Sequence, residues 1–305
     1  MRKTKTPRNE VWNSEMTTFL ALTFLPAWLL FLLPVFWGEV FGAGQTVVRL
    51  IAWSLGMWIP GASALWVTRR EGGKPLERLG LKTWGGGVYY LWAWIAPALL
   101  VVVAGLLTLA LGLGAFDREL MVIKQSLEGL PENAVLSPRI LLGIQIGAAL
   151  LLAPFINTPI TLGEELGWRG YLLPRLLPLG ENQAILLSGV IWGLWHAPVI
   201  LQGHNYPDAP WLGVGMMVVF TTLFGVFLSW LVLETGSPWA PALAHGSLNA
   251  MAGLPLLFLS DVNYTWGGTL TSAVGWIPLI LLAGGLYLTG RLPTGKEPRK
   301  VSRET

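Results

Sequence analysis

Three short segments in the second half of the chain place ionisable and amide side chains within apolar sequence. They are Glu164–Arg169, Trp192–His196 and His245–Asn249. Glutamate, histidine, asparagine and arginine can together activate a water molecule, directly or through a metal ion. They can also stabilise the negative charge that forms on an attacked carbonyl oxygen. Because such side chains are costly to keep in lipid, their presence in membrane-spanning sequence predicts a functional site.

The first segment contains two adjacent carboxylates and one guanidinium. Glu165 and Arg169 are four residues apart, so on a helix they lie one turn apart, and we predict that they form a buried ion pair. Glu164 then lies on a different face, without a partner in its own helix. A carboxylate in a partly hydrated site of low dielectric constant suits a general base, so Glu164 is the candidate for that role.

The second and third segments place two imidazoles and an amide at helical spacing. Trp192 and His196 are four residues apart and share a helix face, as do His245 and Asn249. His196 could be a hydrogen-bonded core residue, and His245 with Asn249 could form a polar seam between helices. The functional alternative is that His245 and Asn249 direct two donors at one point and hold an oxyanion. The third histidine, His204, falls in a polar loop and is predicted to be a surface residue.

Other hydrolytic chemistries lack their residues in this sequence. The chain contains no cysteine, which excludes a thiol nucleophile and disulfide bonds. It has no HExxH segment of the kind found in zinc proteases. Its aspartates, Asp117, Asp208 and Asp261, all fall in predicted loops, so a pair of intramembrane aspartates is also excluded.

The elements that must position these residues are membrane helices. Of the 305 residues 53% are hydrophobic and only 12% are charged, which is not the composition of a soluble domain. We predict an all-α, polytopic membrane helical bundle of about eight transmembrane helices, since a helix satisfies its own backbone in lipid. The predicted spans are Thr17–Trp37, Thr46–Val67, Val88–Leu113, Ile140–Leu173 (interrupted), Ala184–Leu201, Trp211–Leu233, Trp239–Leu259 and Thr271–Gly290.

The distribution of basic residues predicts the orientation. With eight spans, one side carries sixteen of the twenty Lys and Arg residues and the other carries three, while Arg49 lies within a span. Basic loops stay in the cytoplasm, so we predict a cell-membrane protein with cytoplasmic tails at residues 1–16 and 291–305. Residues 17–290 would form one transmembrane domain. Counting inward from the cytoplasmic helix ends puts Glu164, His196 and His245 roughly 13, 18 and 9 Å deep, which predicts a cavity open toward the cytoplasm.

The order of the three segments resembles the CAAX protease and bacteriocin-processing family of intramembrane proteases, which are related to the eukaryotic prenyl-protein endopeptidase. The pattern in this family is EExxxR, then an aromatic residue followed four positions later by His, then HxxxN. The matching residues are Glu164, Glu165, Arg169, Trp192, His196, His245 and Asn249. Many members have phenylalanine at the position of Trp192, so the chain departs from the family there but keeps an aromatic ring.

The resemblance implies that the chain is an intramembrane endopeptidase with a protease core at about residues 140–260. By similarity, Glu164 would deprotonate water and His196 would help to orient it, while His245 and Asn249 would stabilise the oxyanion. Glu165 and Arg169 would brace the site, with Trp192 in support. The implied partners are a membrane-associated peptide or protein substrate and the lipid bilayer, with no nucleic acid.

The use of a metal and two other functions stay open at this point. Glu164, His196 and His245 could form a zinc set with one open position. Neither histidine has an evident supporting carboxylate in the sequence, which metal-bound histidines usually have, so a cofactor-free mechanism is favoured. The alternatives to a protease are a non-catalytic membrane scaffold or immunity protein on the same fold, and a proton-coupled transporter of small solutes.

Overall fold

A computed structural model describes residues 11–41, 45–128 and 137–292, and it confirms the all-α prediction. Most of the two predicted tails lies outside these residues. The longer helices are α1 (Ser14–Phe41), α2 (Gln45–Arg70), α4 (Gly87–Ala110), α6 (Pro138–Leu151), α7 (Ala153–Glu165), α9 (Glu181–Trp195), α11 (Pro210–Thr235), α12 (Trp239–Met251) and α13 (Trp276–Leu288).

Short elements connect these helices. They are α3 (Pro75–Arg78), α5 (Met121–Leu127), a π-helical turn (Leu166–Leu172), α8 (Leu173–Leu176), α10 (Ala197–Leu201), two 3₁₀ turns (Leu177–Leu179 and Leu254–Leu257) and the strands β1 (Ala115–Phe116) and β2 (Leu259–Ser260). The two strands form an antiparallel pair in which Ala115 faces Ser260.

In the part of the chain that the structure describes, the helices that are long and apolar enough to cross a membrane are fewer than the predicted eight. Within the described residues, four helices are long and apolar enough to cross a membrane: α1, α2, α4 and α11. The bent pair formed by α6 and the segment Ala153–Leu179 would make a fifth. The other three predicted spans correspond to α9, α12 and α13, which have only 13 to 15 residues.

Proline and glycine residues explain why two of these helices are shorter than predicted. The predicted span Ala184–Leu201 is divided at His196, because Pro198 has no N–H with which to continue the ladder of α9. The predicted span Trp239–Leu259 ends as a helix at Met251, ahead of Gly253 and Pro255. Apolar sequence therefore continues beyond the ends of these helices.

The predicted break in the fourth span is confirmed. Helices α6 and α7 meet at Leu152 with a bend of 48°, and Pro154 lies in the first turn of α7. Helix α7 then runs into the π-helical turn, which carries Arg169. Such π turns often occur at functional sites, because the extra residue per turn redirects the side chains that follow.

Helices α2, α7 and α12 pack closely through glycine. A Cβ atom on Gly163 would lie 2.7 Å from the carbonyl oxygen of Met57 in α2, and one on Gly246 would lie 2.9 Å from the carbonyl oxygen of Pro154. The hydroxyl of Thr161 also donates to the carbonyl oxygen of Ala242 across 2.7 Å. These close contacts join the first segment, at the end of α7, to the third segment, in α12.

The two ends of the helical bundle are each held together by contacts between segments that are distant in sequence. At the first, the Trp239 indole donates to the Leu81 carbonyl oxygen (3.1 Å), and Arg175 pairs with Glu71 (2.5 Å). At the second, the Tyr206 hydroxyl donates to the Thr271 carbonyl oxygen (2.7 Å). We call the first the basic end, formed by residues 71–86, 177–180 and 236–238. The opposite end comprises residues 111–120, 202–209 and 259–275.

Candidate active site

Glu164 lies in the last turn of α7 and is almost completely buried. Its Oε2 atom accepts a hydrogen bond from Nε1 of Trp192 across 2.6 Å. Nε1 of Trp168, one turn further along, lies 3.4 Å from the same oxygen, which is the long limit for such a bond. The prediction that Glu164 has no partner in its own helix was therefore wrong, because the indole of Trp168 folds back over it.

Glu165 and Arg169 form the predicted ion pair. Nη1 of Arg169 lies 3.1 Å from Oε2 of Glu165, and neither side chain is exposed to any extent (0%). The guanidinium also lies over the ring of Trp192, with Cζ 4.3 Å from the ring centroid. A buried pair of this kind needs such extra contacts, because both charges have been removed from water.

His245 shares the carboxylate of Glu165. Its Nδ1 atom lies 2.9 Å from Oε1 of Glu165, so an ionised Glu165 accepts a hydrogen bond from Nδ1–H. The prediction that neither histidine has a supporting carboxylate was wrong for His245. Sequence could not reveal this contact, because the two residues are 80 positions apart and meet only through the packing of α7 on α12.

His196 is held by the backbone of its own helix. Its Nδ1 atom lies 2.9 Å from the carbonyl oxygen of Trp192. Since a carbonyl oxygen can only accept, Nδ1 carries the proton, and in the neutral ring Nε2 is a hydrogen-bond acceptor. His196 and His245 thus both use Nδ1 for support and leave Nε2 for another partner.

A cavity of about 810 Å³ joins the predicted catalytic residues. Its wall includes Glu164, His196, His245 and Asn249. Glu165 and Arg169 do not line it and lie buried behind Glu164 and His245. The structure therefore brings the four residues predicted to be catalytic to one cavity, while Glu165 and Arg169 lie outside its wall and Glu165 contacts His245 directly.

Comparison with known proteins finds related sequences and a family model that covers this part of the chain. The family model described as type II CAAX prenyl endopeptidase Rce1-like matches residues 142–251, a range that contains all three segments. A protein named CAAX prenyl protease 2 from Arabidopsis thaliana is 35% identical over 133 residues, which cover 41% of this chain and 42% of that protein. The chain is related to the CAAX protease family.

A second relative comes from an archaeon. The protein named CAAX prenyl protease 2 from Methanococcus maripaludis is 31% identical over 77 residues, or 23% of this chain and 28% of that protein. The chain thus covers less than half the length of either relative. The family relationship and the apolar helices together identify an integral membrane protein.

The cavity extends toward the opposite end of the bundle. The prediction that it opens toward the helix ends assigned to the cytoplasm, which lie at the basic end, was wrong. Its outer wall includes Arg49, His204 and Thr271, and none of its lining residues belongs to the described loops of the basic end. The predicted depths were counted from the basic end alone. In fact α12 ends two residues after Asn249, so the third segment lies close to the opposite end.

Some features of the site resemble those of a zinc site. Two imidazoles with supported Nδ1 atoms are what a zinc site uses. However, the described residues contain no group of three His, Cys, Asp or Glu side chains placed to hold one ion. The carboxylate of Glu164 is instead oriented by the indole N–H of Trp192.

Trp192 has a larger role than its sequence motif suggested. Its ring lies edge-on to the rings of His245 and His196, with centroid distances of 5.3 and 5.8 Å. Its indole N–H donates to Glu164, and the face of its ring contacts the guanidinium of Arg169. Sequence comparison treated Trp192 as an aromatic ring equivalent to phenylalanine. The departure from phenylalanine was the signal that could have drawn attention to the indole N–H.

Proposed function

We propose that the chain is an intramembrane endopeptidase that hydrolyses a peptide bond with water activated by Glu164. The observation that carries this proposal is the convergence of Glu164, His196, His245 and Asn249 on one cavity. The relatives named CAAX prenyl protease 2 support a protease as the general class.

Water activation would use Glu164 and His196. The carboxylate of Glu164 accepts a proton from water, while Nε2 of His196 accepts a hydrogen bond from the same molecule and orients it. The resulting hydroxide attacks the carbonyl carbon of the substrate. Glu164 then donates the proton to the leaving amine, which restores the starting state.

His245 and Asn249 would stabilise the oxyanion. Because Glu165 accepts from Nδ1 of His245, Nε2 can donate to the oxyanion only when the ring is an imidazolium. The carboxylate of Glu165 stabilises that cation.

We propose that this mechanism needs no metal ion. Removal of metal tests the point directly, because a zinc-dependent enzyme loses activity in a strong chelator and regains it when zinc is restored. We expect cleavage to survive chelation. Loss of activity that zinc alone restores would instead assign Glu164, His196 and His245 as metal ligands.

The substrate class follows from the location of the site. A cavity among apolar helices is suited to a membrane-associated peptide or protein, and we propose no nucleic-acid partner. Because both relatives are named CAAX prenyl protease 2, a prenylated protein is one candidate. We further propose that the protein resides in the lipid bilayer of the cell membrane with both termini in the cytoplasm, as the basic loops indicate.

The test is cleavage of a peptide library by purified protein in detergent, followed by mass spectrometry. We expect wild-type protein to cleave and the Glu164→Gln protein to lose at least 100-fold in rate while still folding. Glu119→Gln, an equivalent change at an exposed site of the opposite end, is the matched control and should cleave normally. Absence of cleavage by wild-type protein across the library would reject the protease proposal in favour of a scaffold or a transporter.

A further inference from the structure

The break between α9 and α10 changes the hydrogen bonds of the backbone around His196. In a regular α-helix, each N–H donates to the carbonyl oxygen four residues earlier. Here the N–H of His196 donates to the carbonyl of Gly193, and the N–H of Val199 donates to the carbonyl of His196. Both bonds span only three residues. The carbonyls of Trp192 and Trp195 accept from side chains instead.

These two carbonyls have different donors. The carbonyl oxygen of Trp192 accepts from Nδ1 of His196 across 2.9 Å, which leaves Nε2 of the neutral ring as an acceptor. The carbonyl oxygen of Trp195 accepts from Nε1 of Trp28, 167 positions earlier in α1, across 3.0 Å. The same irregular turn therefore supplies the acceptor that holds His196 and the acceptor that binds α1.

Helix α1 contacts the chain on both sides of the break. Before the break, the ring of Phe31 lies edge-on to the ring of Trp195, with a centroid distance of 4.8 Å. After the break, Nε2 of Gln202 donates to the carbonyl oxygen of Phe31 across 2.9 Å and to that of Pro198 across 2.8 Å. Trp28 and Gln202 thus attach α1 to the two halves of the interrupted helix.

The bond from Trp28 stabilises the irregular turn, because it gives the carbonyl of Trp195 a donor that the turn takes away. A buried carbonyl without a donor costs free energy. Loss of the indole N–H would therefore favour a regular turn, in which the N–H of Val199 donates to Trp195. In a regular turn, the N–H of His196 would also donate to the carbonyl of Trp192 and compete there with Nδ1–H.

We propose that Trp28 is a positioning residue that keeps Nε2 of His196 an acceptor. The inference rests on the proposed function, in which this nitrogen orients the attacking water. It adds that α1, which lies outside the residues 142–251 matched by the family model, takes part in the site. Trp28 is not among the residues that line the cavity, so it acts through the backbone of the broken helix.

The tautomer of His196 tests this inference without a substrate. The sample is the intact protein in detergent, with ¹⁵N-labelled histidine, and NMR distinguishes a protonated ring nitrogen from an unprotonated one. The chain has three histidines, so single substitutions assign the ring signals. In wild-type protein we expect the proton of His196 on Nδ1. Trp28→Phe should raise the ratio of the Nε2–H form to the Nδ1–H form about fivefold, which is the effect of one neutral hydrogen bond.

Trp94→Phe is the matched control. Nε1 of Trp94, in α4, donates to the carbonyl oxygen of Leu150, in α6, across 2.7 Å, and Trp94 does not line the cavity. The substitution removes the same kind of bond between helices, and it should leave the tautomer ratio of His196 unchanged. An unchanged ratio in Trp28→Phe, or an equal change in Trp94→Phe, would overturn the inference.

Gln202→Leu is a second variant of the same contact. It removes the attachment of α1 beyond the break and should shift the tautomers of His196 in the same direction as Trp28→Phe. If Trp28→Phe does not fold, the ratio in Gln202→Leu decides: a shift supports the inference, and the wild-type ratio overturns it.

Cleavage kinetics distinguish this inference from the proposed function. Trp28→Phe should lower kcat about fivefold and leave KM unchanged, because Trp28 does not line the cavity. A tautomer shift in Trp28→Phe, with no cleavage by wild-type protein, would reject the protease and support the link from Trp28 to His196. Slower cleavage by Trp28→Phe at the wild-type tautomer ratio would support the protease and reject the inference.

Discussion

The indole N–H of Trp192 donates a hydrogen bond of 2.6 Å to Oε2 of Glu164. This bond joins the second segment to the first and fixes the orientation of the proposed general base. The same indole ring lies beneath the guanidinium of Arg169. The side chain of Trp192 therefore contacts both the carboxylate that would act on water and the guanidinium of Arg169, which forms an ion pair with Glu165.

Trp192→Phe should lower turnover without unfolding the protein. The substitution keeps the aromatic ring beneath Arg169 and removes the single donor to Glu164. A hydrogen bond to a charged group is worth about 1.5–3 kcal/mol, so kcat should fall roughly 10- to 100-fold. Since the ring still fills its space, KM should change little. Steady-state kinetics on a cleaved peptide would measure both constants.

The control for that substitution is Trp230→Phe. Trp230 is also buried, but its Nε1 atom has no hydrogen-bond partner among the described residues. It lies outside the cavity, so kcat should be unchanged. Equal kinetics for Trp192→Phe and wild-type protein would show that the indole bond does not orient the base.

Glu165→Gln should destabilise the fold more than any change at an exposed ion pair. Glu165 is the common partner of Arg169 and His245, and removal of its charge leaves a buried guanidinium uncompensated. Breaking such a pair typically costs about 3–5 kcal/mol. Denaturant unfolding in detergent, followed by tryptophan fluorescence, would measure the loss.

The exposed pair of Lys124 and Glu119, at 2.6 Å, supplies the comparison. Glu119→Gln should cost no more than about 1 kcal/mol, because water screens the interaction. If the two substitutions lowered stability equally, the buried cluster would not be a structural brace, and the proposed support of His245 by Glu165 would lose its basis.

The sequence was informative wherever the relevant contact is local. The pairing of Glu165 with Arg169 follows from helical spacing alone, as does the shared face of His245 and Asn249. The bond from Glu165 to His245 depends on the crossing of two helices, and no local pattern encodes it. The direction of the cavity was missed for a similar reason, because apolar length does not reveal that α12 ends just after Asn249.

The membrane orientation can be tested cleanly because the chain has no cysteine. Lys74 is exposed at the basic end and Asp208 is exposed at the opposite end. In intact cells, an impermeant maleimide should label the Asp208→Cys protein, and it should label Lys74→Cys only after permeabilisation. Labelling in the reverse pattern would place the basic loops outside the cell.

Access to the cavity should come from the same side as Asp208. Ser54 is an exposed residue of α2 that lines the cavity, whereas its neighbour Leu55 is exposed but does not line it. A thiol at position 54 would be in contact with water, and one at position 55 would face lipid, where it stays protonated and unreactive. We therefore expect a charged methanethiosulfonate reagent to modify Ser54→Cys quickly in intact cells and to block cleavage. Leu55→Cys should resist the reagent. Modification of Ser54→Cys only after permeabilisation, with Asp208→Cys labelled from outside, would mean that the cavity opens toward the basic end after all.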